Sequence, residues 1–295
     1  MELSHLRYFY NVAKTRSFVK GARLSNVTPP AVSKAVKKLE EELGTQLLVR
    51  TTRRAALTQS GEILLEHCQR LFNCVEALER SLDQARETIA GPLRIGAMEV
   101  FSIYLLPVAL CKLIERHPKV IPSSFEMLPQ AMARQILDGE LDVAFTVSGG
   151  DSRGIIYTTL GTSPGVLVCG RAHPLYEGGR ITPKQLAHYP FVVPRFLGRE
   201  HLPPLDLFPN DVHPRRVGAT IELLQMGIRM TTSGSLLGYF PEVSVRQSLD
   251  DGSLRELRGI RLGPPFELQA LTRDGIPPKT ATSELIDQLR TLVRG

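Results

Sequence analysis

Three observations in the 295-residue sequence predict a multidomain α+β chain. The first sixty residues are strongly basic and read as short helices followed by a hairpin. A long helical stretch then repeats its apolar residues about every 3.5 positions. Beyond it, short β-like runs alternate with helical ones to the end. The expected order is an N-terminal winged helix-turn-helix over 1–58, a coiled-coil linker helix over 59–90 and a C-terminal α/β domain over 91–295.

Hydrophobic residues make up 42% of the chain and charged residues 22%, the balance of an ordinary globular protein. The net charge of +6 is unevenly distributed. Residues 1–60 carry eleven Lys/Arg against four Glu, a net of +7, whereas the remainder holds 25 basic and 26 acidic residues. A positive surface so concentrated suits nucleic acid or an anionic membrane. The opening "MELSHLRYFY" is too polar for a signal peptide and no run of eighteen apolar residues occurs, so a cytoplasmic protein is expected, without membrane contact. The four cysteines (68, 74, 111, 169) form no C-x-x-C pair and no metal-like cluster with histidines; no metal or cofactor is expected, and each reads as a small buried hydrophobe.

The first helix is expected from about Ser4, with Leu6, Phe9, Tyr10 and Ala13 on one face. A second follows Ser17 as N-cap and carries Phe18, Ala22 and Leu24; Gly21 in its middle implies close packing against a neighbour. In "TPPAVSKAVKKLEEELG" (28–44) Thr28 is the N-cap, and Val27 with Val32 forms a hydrophobic staple. Pro29 and Pro30 fall in the first turn, where backbone N–H groups lack helical partners, although Pro30 favours a start one residue later. Val32, Ala35, Val36, Leu39 and Leu43 form the apolar stripe, with Ser33, Lys34, Lys37 and Lys38 off it. Lys37–Glu41 and Lys38–Glu42 are candidate pairs. An isolated helix of this kind would simply be amphipathic. After two short helices and a tight turn, in a region of net +7, it reads instead as the recognition helix of a helix-turn-helix.

"QLLVRTTRRAALT" follows as a hairpin wing, with Arg53 and Arg54 at its tip. The candidate contacts to double-stranded DNA are Thr28, Lys34, Lys37, Arg50, Arg53 and Arg54 at phosphates, Pro30 and Ser33 at the tip of the helix near the bases, and Pro29 with its role left open.

Residues 1–61 resemble the DNA-binding domain of the LysR-type transcriptional regulators through "LRYF" (6–9), "SF" (17–18), Ala22, Leu24, "TPPAVSKAVKKLEEELG", "QLLVR" and "LTQSG" (57–61). Proline stands at 29 where that family often has a glutamine able to read adenine edges. Gly21 replaces a common alanine, and Leu48 a common phenylalanine.

From Thr58 one helix is expected to run to Gly91-Pro92. Leu64, Cys68, Leu71, Val75, Leu78, Leu82, Ala85 and Ile89 alternate spacings of four and three, the seam of a coiled coil that pairs two copies of the chain. The family resemblance agrees, implying a homodimer and a homotetramer built as a dimer of dimers, with RNA polymerase as a further partner.

In the C-terminal part the strands expected are 93–97, 123–128, 141–147, 165–170, 190–194 and 235–241, with helices over 102–116, 130–138 and 219–228. The alternation implies parallel sheets with helices on both faces, and ligands near strand C-termini. "LLP…ERHP" (105–118), "LDGELDVAF" (137–145), "HPL" (173–175), Gly234 with Pro241, and "DGSLREL" (251–257) are similar to the LysR-type effector domain. That resemblance implies a periplasmic-binding-protein-like domain, with lobe one over 92–162 plus 266–295 and lobe two over 163–265, and a small-molecule effector between them.

The expected effector residues are Met98, Glu99, Val100, Phe101, Ser102, Pro129, Gln130, Phe196, Tyr239 and Phe240. Val100 and Phe101 stand where the family often has a carboxylate-binding Ser or Thr, which with Glu99 implies an apolar or aromatic effector. No G-x-S-x-G, H-E-x-x-H, P-loop or G-x-G-x-x-G is present, so an enzyme is not expected. A transport solute-binding protein is disfavoured by the basic N-terminal domain. A redox-responsive regulator sensing through Cys111 and Cys169 is the alternative within the family.

Overall fold

A computed structural model describes residues 1–50, 55–84, 89–148, 150–195 and 206–294. The chain forms two compact units, Met1–Ala85 and Arg86–Gly295.

The first unit contains α1 (Leu3–Thr15), α2 (Phe18–Leu24), α3 (Pro29–Leu43), the antiparallel wing strands β1 (Leu48–Arg50) and β2 (Ala55–Leu57), and α4 (Gln59–Gln84). Leu6, Phe9 and Val12 of α1, Ala22 of α2, and Val32, Val36 and Leu39 of α3 share one core. The Ser17 hydroxyl caps α2 by accepting from the Lys20 amide at 3.3 Å. A Cβ on Gly21 would lie 2.7 Å from Val12 Cγ2 and 2.8 Å from its backbone nitrogen, so glycine sets how closely α2 approaches α1. Two apolar residues expected inside lie outside: Leu24 is 63% and Leu43 41% exposed. Each ends its helix, past the last turn that a neighbour covers.

Helix α3 begins at Pro29 itself rather than one residue later, and the Val32 amide donates to the Thr28 carbonyl at 3.2 Å. It stops at Gly44, whose φ of +65° is a left-handed conformation suited to glycine. The chain then turns back, held by the Glu40 carboxylate, which accepts from the amides of Leu47 at 2.9 Å and Leu48 at 3.1 Å. Lys37 pairs with Glu41 at 3.6 Å as expected. The Lys38–Glu42 pair does not form: Lys38 pairs with Glu2 at 3.2 Å, and Glu42 with the Met1 amino group at 3.0 Å. The N-terminal residues reach those side chains and offer them opposite charge.

The second unit starts with β3 (Gly91–Ala97), α5 (Glu99–Tyr104), α6 (Leu106–Arg116), β4 (Val120–Glu126), α7 (Pro129–Leu137), β5 (Val143–Val147) and β6 (Ile155–Ser163). It continues through β7 (Gly165–Gly170), α8 (Pro183–His188), β8 (Pro190–Pro194), β9 (Arg216–Ile221), α9 (Leu224–Ser233), β10 (Leu237–Pro241), α10 (Glu242–Asp250) and β11 (Leu254–Glu256). It closes with β12 (Phe266–Arg273) and α11 (Thr280–Arg294).

Two five-stranded sheets result, ordered β4-β3-β5-β12-β6 and β11-β7-β10-β8-β9. Neither is purely parallel, in contrast to the expectation from sequence alternation. β12 runs antiparallel to β5 and β6, and β7 antiparallel to β10 and β11, because the chain reverses where it passes between the sheets. The helix expected over 102–116 is two helices, separated at Leu105, with Pro107 in the first turn of the second. The helix expected over 219–228 starts as strand β9 and becomes helical only at Leu224.

Side chains pack on both faces of each sheet. Phe101, Leu106, Phe145 and Leu285 fill one face of the first, and Met132, Ile136 and Leu271 belong to a separate cluster with Leu141. Phe191, Phe208 and Tyr239 share one core of the second sheet, and Val168, Ile228 and Phe240 the other.

Beside the Phe208 ring a buried ion pair fixes the segment leading into β9. Arg215 donates to both Asp206 carboxylate oxygens, at 2.5 and 3.2 Å, and to Asn210 at 2.8 Å, with its guanidinium 4.1 Å from the Phe208 ring centre. The two side chains are 1% and 3% exposed. Removing one partner strands the other charge away from water. Asp206→Ala is therefore expected to lower the unfolding free energy of the full chain by about 3–5 kcal/mol in urea denaturation. A loss below about 1 kcal/mol would be that of a solvent-exposed pair and would contradict this description.

Candidate DNA interface and effector cleft

At the head of α3, Thr28, Pro29, Pro30, Lys34 and Lys37 are exposed and Ser33 is half-buried, while Val32, Val36 and Leu39 on the opposite side are fully buried. Thr28 occupies the N-cap with extended backbone, and its side chain makes no capping bond to the helix. The two prolines remove two of the N–H groups that a first turn leaves free. A phosphate there would meet the helix dipole and lysine charge more than backbone donors. The wing pairs Leu48 with Leu57, Val49 with Ala56 and Arg50 with Ala55. Arg50 thus ends β1, while Arg53 and Arg54 lie outside the described residues.

The seam residues of the linker do not form one continuous free stripe. Leu64 is half-buried and Cys68 is 1% exposed, both packed into the core of their own first unit with Phe72. Burial pushes the Cys68 thiol up to about 11. Leu71 and Leu78 are exposed and Val75 half-buried. Leu82 lies on α4, and Ala85 falls outside the described residues. Ile89 is not helical; it packs against the first core of the second unit as the chain enters β3, which corrects its assignment to the seam.

In the second unit, Met98 caps α5 by position, and its sulfur accepts from the Thr146 hydroxyl at 3.3 Å and the Val147 amide at 3.5 Å. The Ser102 hydroxyl donates to the Met98 carbonyl at 3.4 Å. Pro129 opens α7, with Gln130 exposed beside it. Phe196 lies outside the described residues.

Four expected effector residues are core instead. Val100 and Phe101 face inward from α5, and the Phe101 ring stacks on Phe145 at 5.3 Å. Tyr239 and Phe240 are successive residues of an interior strand, so they point to opposite faces and enter opposite cores. The Tyr239 hydroxyl is pushed up to about 12, chiefly by burial and then by the Asp206 charge. The apolar character that implied an aromatic effector is therefore taken up by internal packing.

Glu99 has a different role from the one its position implied. Its carboxylate reaches the second sheet's helix α9, accepting from the amides of Leu224 at 2.5 Å and Gln225 at 2.8 Å. The Tyr104 hydroxyl donates to Gln225 Oε1 alongside, and Leu224 and Val243 pack against the first core. Burial, then the Glu99 charge, pushes Tyr104 up to about 12. The same two causes raise the Glu126 carboxyl at the end of β4. Tyr104, Gln225 and Glu126 were not among the residues expected here. The strand-end rule reaches Glu126, but no local pattern links 99 and 104 to 224 and 225.

Among the described residues no group of three or more His, Cys, Asp or Glu is placed to hold a metal ion, and no helix is long and apolar enough to cross a membrane.

Residues 3–62 match the family model described as a bacterial regulatory helix-turn-helix protein of the lysR family, and residues 86–294 match that of the LysR substrate binding domain. The hydrogen peroxide-inducible genes activator of Pectobacterium carotovorum subsp. carotovorum is 27% identical, covering 100% of this chain and 98% of that protein. The HTH-type transcriptional regulator TtuA of Agrobacterium vitis is 31% identical over 79% of this chain and 78% of its own. In fold, a variant of full-length OxyR from Pseudomonas aeruginosa superposes with a TM-score of 0.75 at 22% identity, covering 98% of this chain and 95% of that one. The chain belongs to the LysR family: it is a DNA-binding transcriptional regulator with an N-terminal helix-turn-helix and a two-lobed, effector-binding C-terminal domain.

Proposed function

We propose that the chain reads double-stranded DNA as a homodimer, with the first half of α3 in the major groove and the wing against the backbone. The observation that carries this reading is the division of α3, with Lys34 and Lys37 exposed on the side opposite the fully buried Val32, Val36 and Leu39. Lys34, Lys37 and Arg50 take phosphates, with Arg53 and Arg54 at the wing tip. Thr28 holds a phosphate at the helix end, and Pro29, Pro30 and Ser33 lie nearest the bases. Pairing runs along α4 through Leu71, Val75 and Leu78, whose exposure favours that segment over Leu64 and Cys68. Family membership supports a dimer of dimers, a contact with RNA polymerase and a cytoplasmic location.

The effector is a small molecule held between the lobes near Met98, Ser102, Pro129 and Gln130. With Val100, Phe101, Tyr239 and Phe240 internal, hydrogen bonding has a larger part in its recognition than aromatic packing.

Relatives named hydrogen peroxide-inducible genes activators favour a second reading, sensing through Cys111 and Cys169. Cys111 is exposed on α6, against the expectation of a buried hydrophobe, but the Cys169 thiol weighs against this reading. Cys169 is fully buried on β7, and burial, only partly offset by Arg255, pushes it up to about 11. A thiol held that high presents little thiolate at neutral pH.

Two outcomes follow. Lys34→Ala and Lys37→Ala should each weaken binding to every duplex tested and reduce the slope of log affinity against log salt by about one unit. Unchanged affinity and slope would remove these lysines from the interface. The double change Cys111→Ser and Cys169→Ser should leave the DNA footprint, with and without peroxide, the same as in the parent chain. A peroxide-induced shift seen in the parent chain and lost in this variant would establish the thiol reading.

A further inference from the structure

Helix α9 has no cap of its own. Its N-cap residue, Leu223, has a side chain that cannot accept, and its first turn contains no acidic residue. The acceptor comes from 125 and 126 positions earlier in the chain, from Glu99 on α5. Each oxygen of that carboxylate takes one of two successive amides at the start of the helix, where unpaired N–H groups and the helix dipole both favour a negative charge. The contact joins the two sheets of the second unit, since α5 packs in the first core and α9 lies over β7 and β8 of the second sheet. The Tyr104–Gln225 hydrogen bond and the packing of Leu224 against the first core support it on either side.

We propose that Glu99 is a built-in ligand that latches the second lobe to the first without an effector and reserves the start of α9 against anionic effectors. This deepens the effector-cleft reading and rests on it for the second clause only. The anion-binding capacity of that helix end is already filled by the chain. A carboxylate effector arriving there would have to displace Glu99 and would face its charge, with Glu126 close enough for the two carboxylates to repel. A neutral or cationic molecule meets no such competition. Glu99 is thus a positioning and specificity-determining residue rather than a contact awaiting a ligand.

Hydrogen–deuterium exchange on the full chain, without any effector, tests the latch. In Glu99→Ala the amides of Leu224 and Gln225 should exchange at least about tenfold faster than in the parent, since each loses a charge-assisted bond. The sheet cores should keep their protection. Sodium acetate should slow exchange at these two amides in Glu99→Ala but not in the parent chain, and acetamide should do so in neither. Glu99→Gln, which keeps the size and removes the charge, should give a smaller acceleration and serves if the alanine variant does not fold. Exchange at Leu224 and Gln225 unchanged in a folded variant would overturn the latch. Acetate protection in the parent chain, or equal effects of acetate and acetamide in Glu99→Ala, would overturn the exclusion of anions. Because no effector is present, either failure is separate from a failure to find a small molecule between the lobes.

Discussion

Strands β6 and β12 pair antiparallel from Ile155–Arg273 to Ser163–Phe266, and the chain between them builds the whole second sheet. The remaining architecture of the second unit depends on that pairing. It keeps the two ends of a one-lobe insertion side by side, so the second sheet is tied to the first at both its entry and its exit. Strand β12 contributes to both cores: Phe266 packs with Tyr239 in the second sheet's core, while Leu268 and Ala270 belong to the first, and the register shifts between Leu268 and Gln269. A strand shared in this way couples the stability of the two lobes. Noncovalent contacts elsewhere, above all Glu99 on α9, then set how the lobes are held across the cleft.

The first unit works under a different constraint. One side of α3 is buried and holds the helix, and the other, proposed to meet DNA, stays exposed. Short connections make this possible: Gly21 lets α2 approach α1, Gly44 ends α3 in one residue, and Glu40 ties the returning chain to the helix before the wing begins. Glutamates in the second half of α3 do more than form a solvated acidic end. Glu40 fixes the geometry of the wing, and Glu42 holds the N-terminus.

Periodicity made much of this legible from sequence. The stripe Val32, Ala35, Val36 and Leu39, the Ser17 cap, the close packing at Gly21 and the strands at 165–170 and 190–194 depend on local rules, and local rules located them. Errors arose where the same apolar spacing fits two structures. The run 219–228 contains Thr220 and Ile221, whose branched side chains suit a strand, yet its leucines also fit a helix. The effector site was the least legible. Strand-end position drew attention to Met98 and Glu99 but could not show that Val100, Phe101, Tyr239 and Phe240 turn into cores. Burial on both faces of an interior strand is a property of the sheet, not of the residues within it. The Glu99–Leu224 contact spans 125 positions and leaves no periodic trace.

In this LysR-family regulator α3 is fixed by a small, tightly connected core, and the two C-terminal lobes are held partly by the chain's own Glu99 carboxylate. The proposed function requires the chain to read a specific duplex as a symmetric pair. The most direct measurement is selection of bound duplexes from fragmented genomic DNA with the purified full chain, followed by footprinting of the enriched fragments. The expected result is a shared sequence with dyad symmetry, its two half-sites separated by a whole number of helical turns of about 10 base pairs. Enriched fragments without a common sequence, or with a single unrepeated half-site, would contradict it.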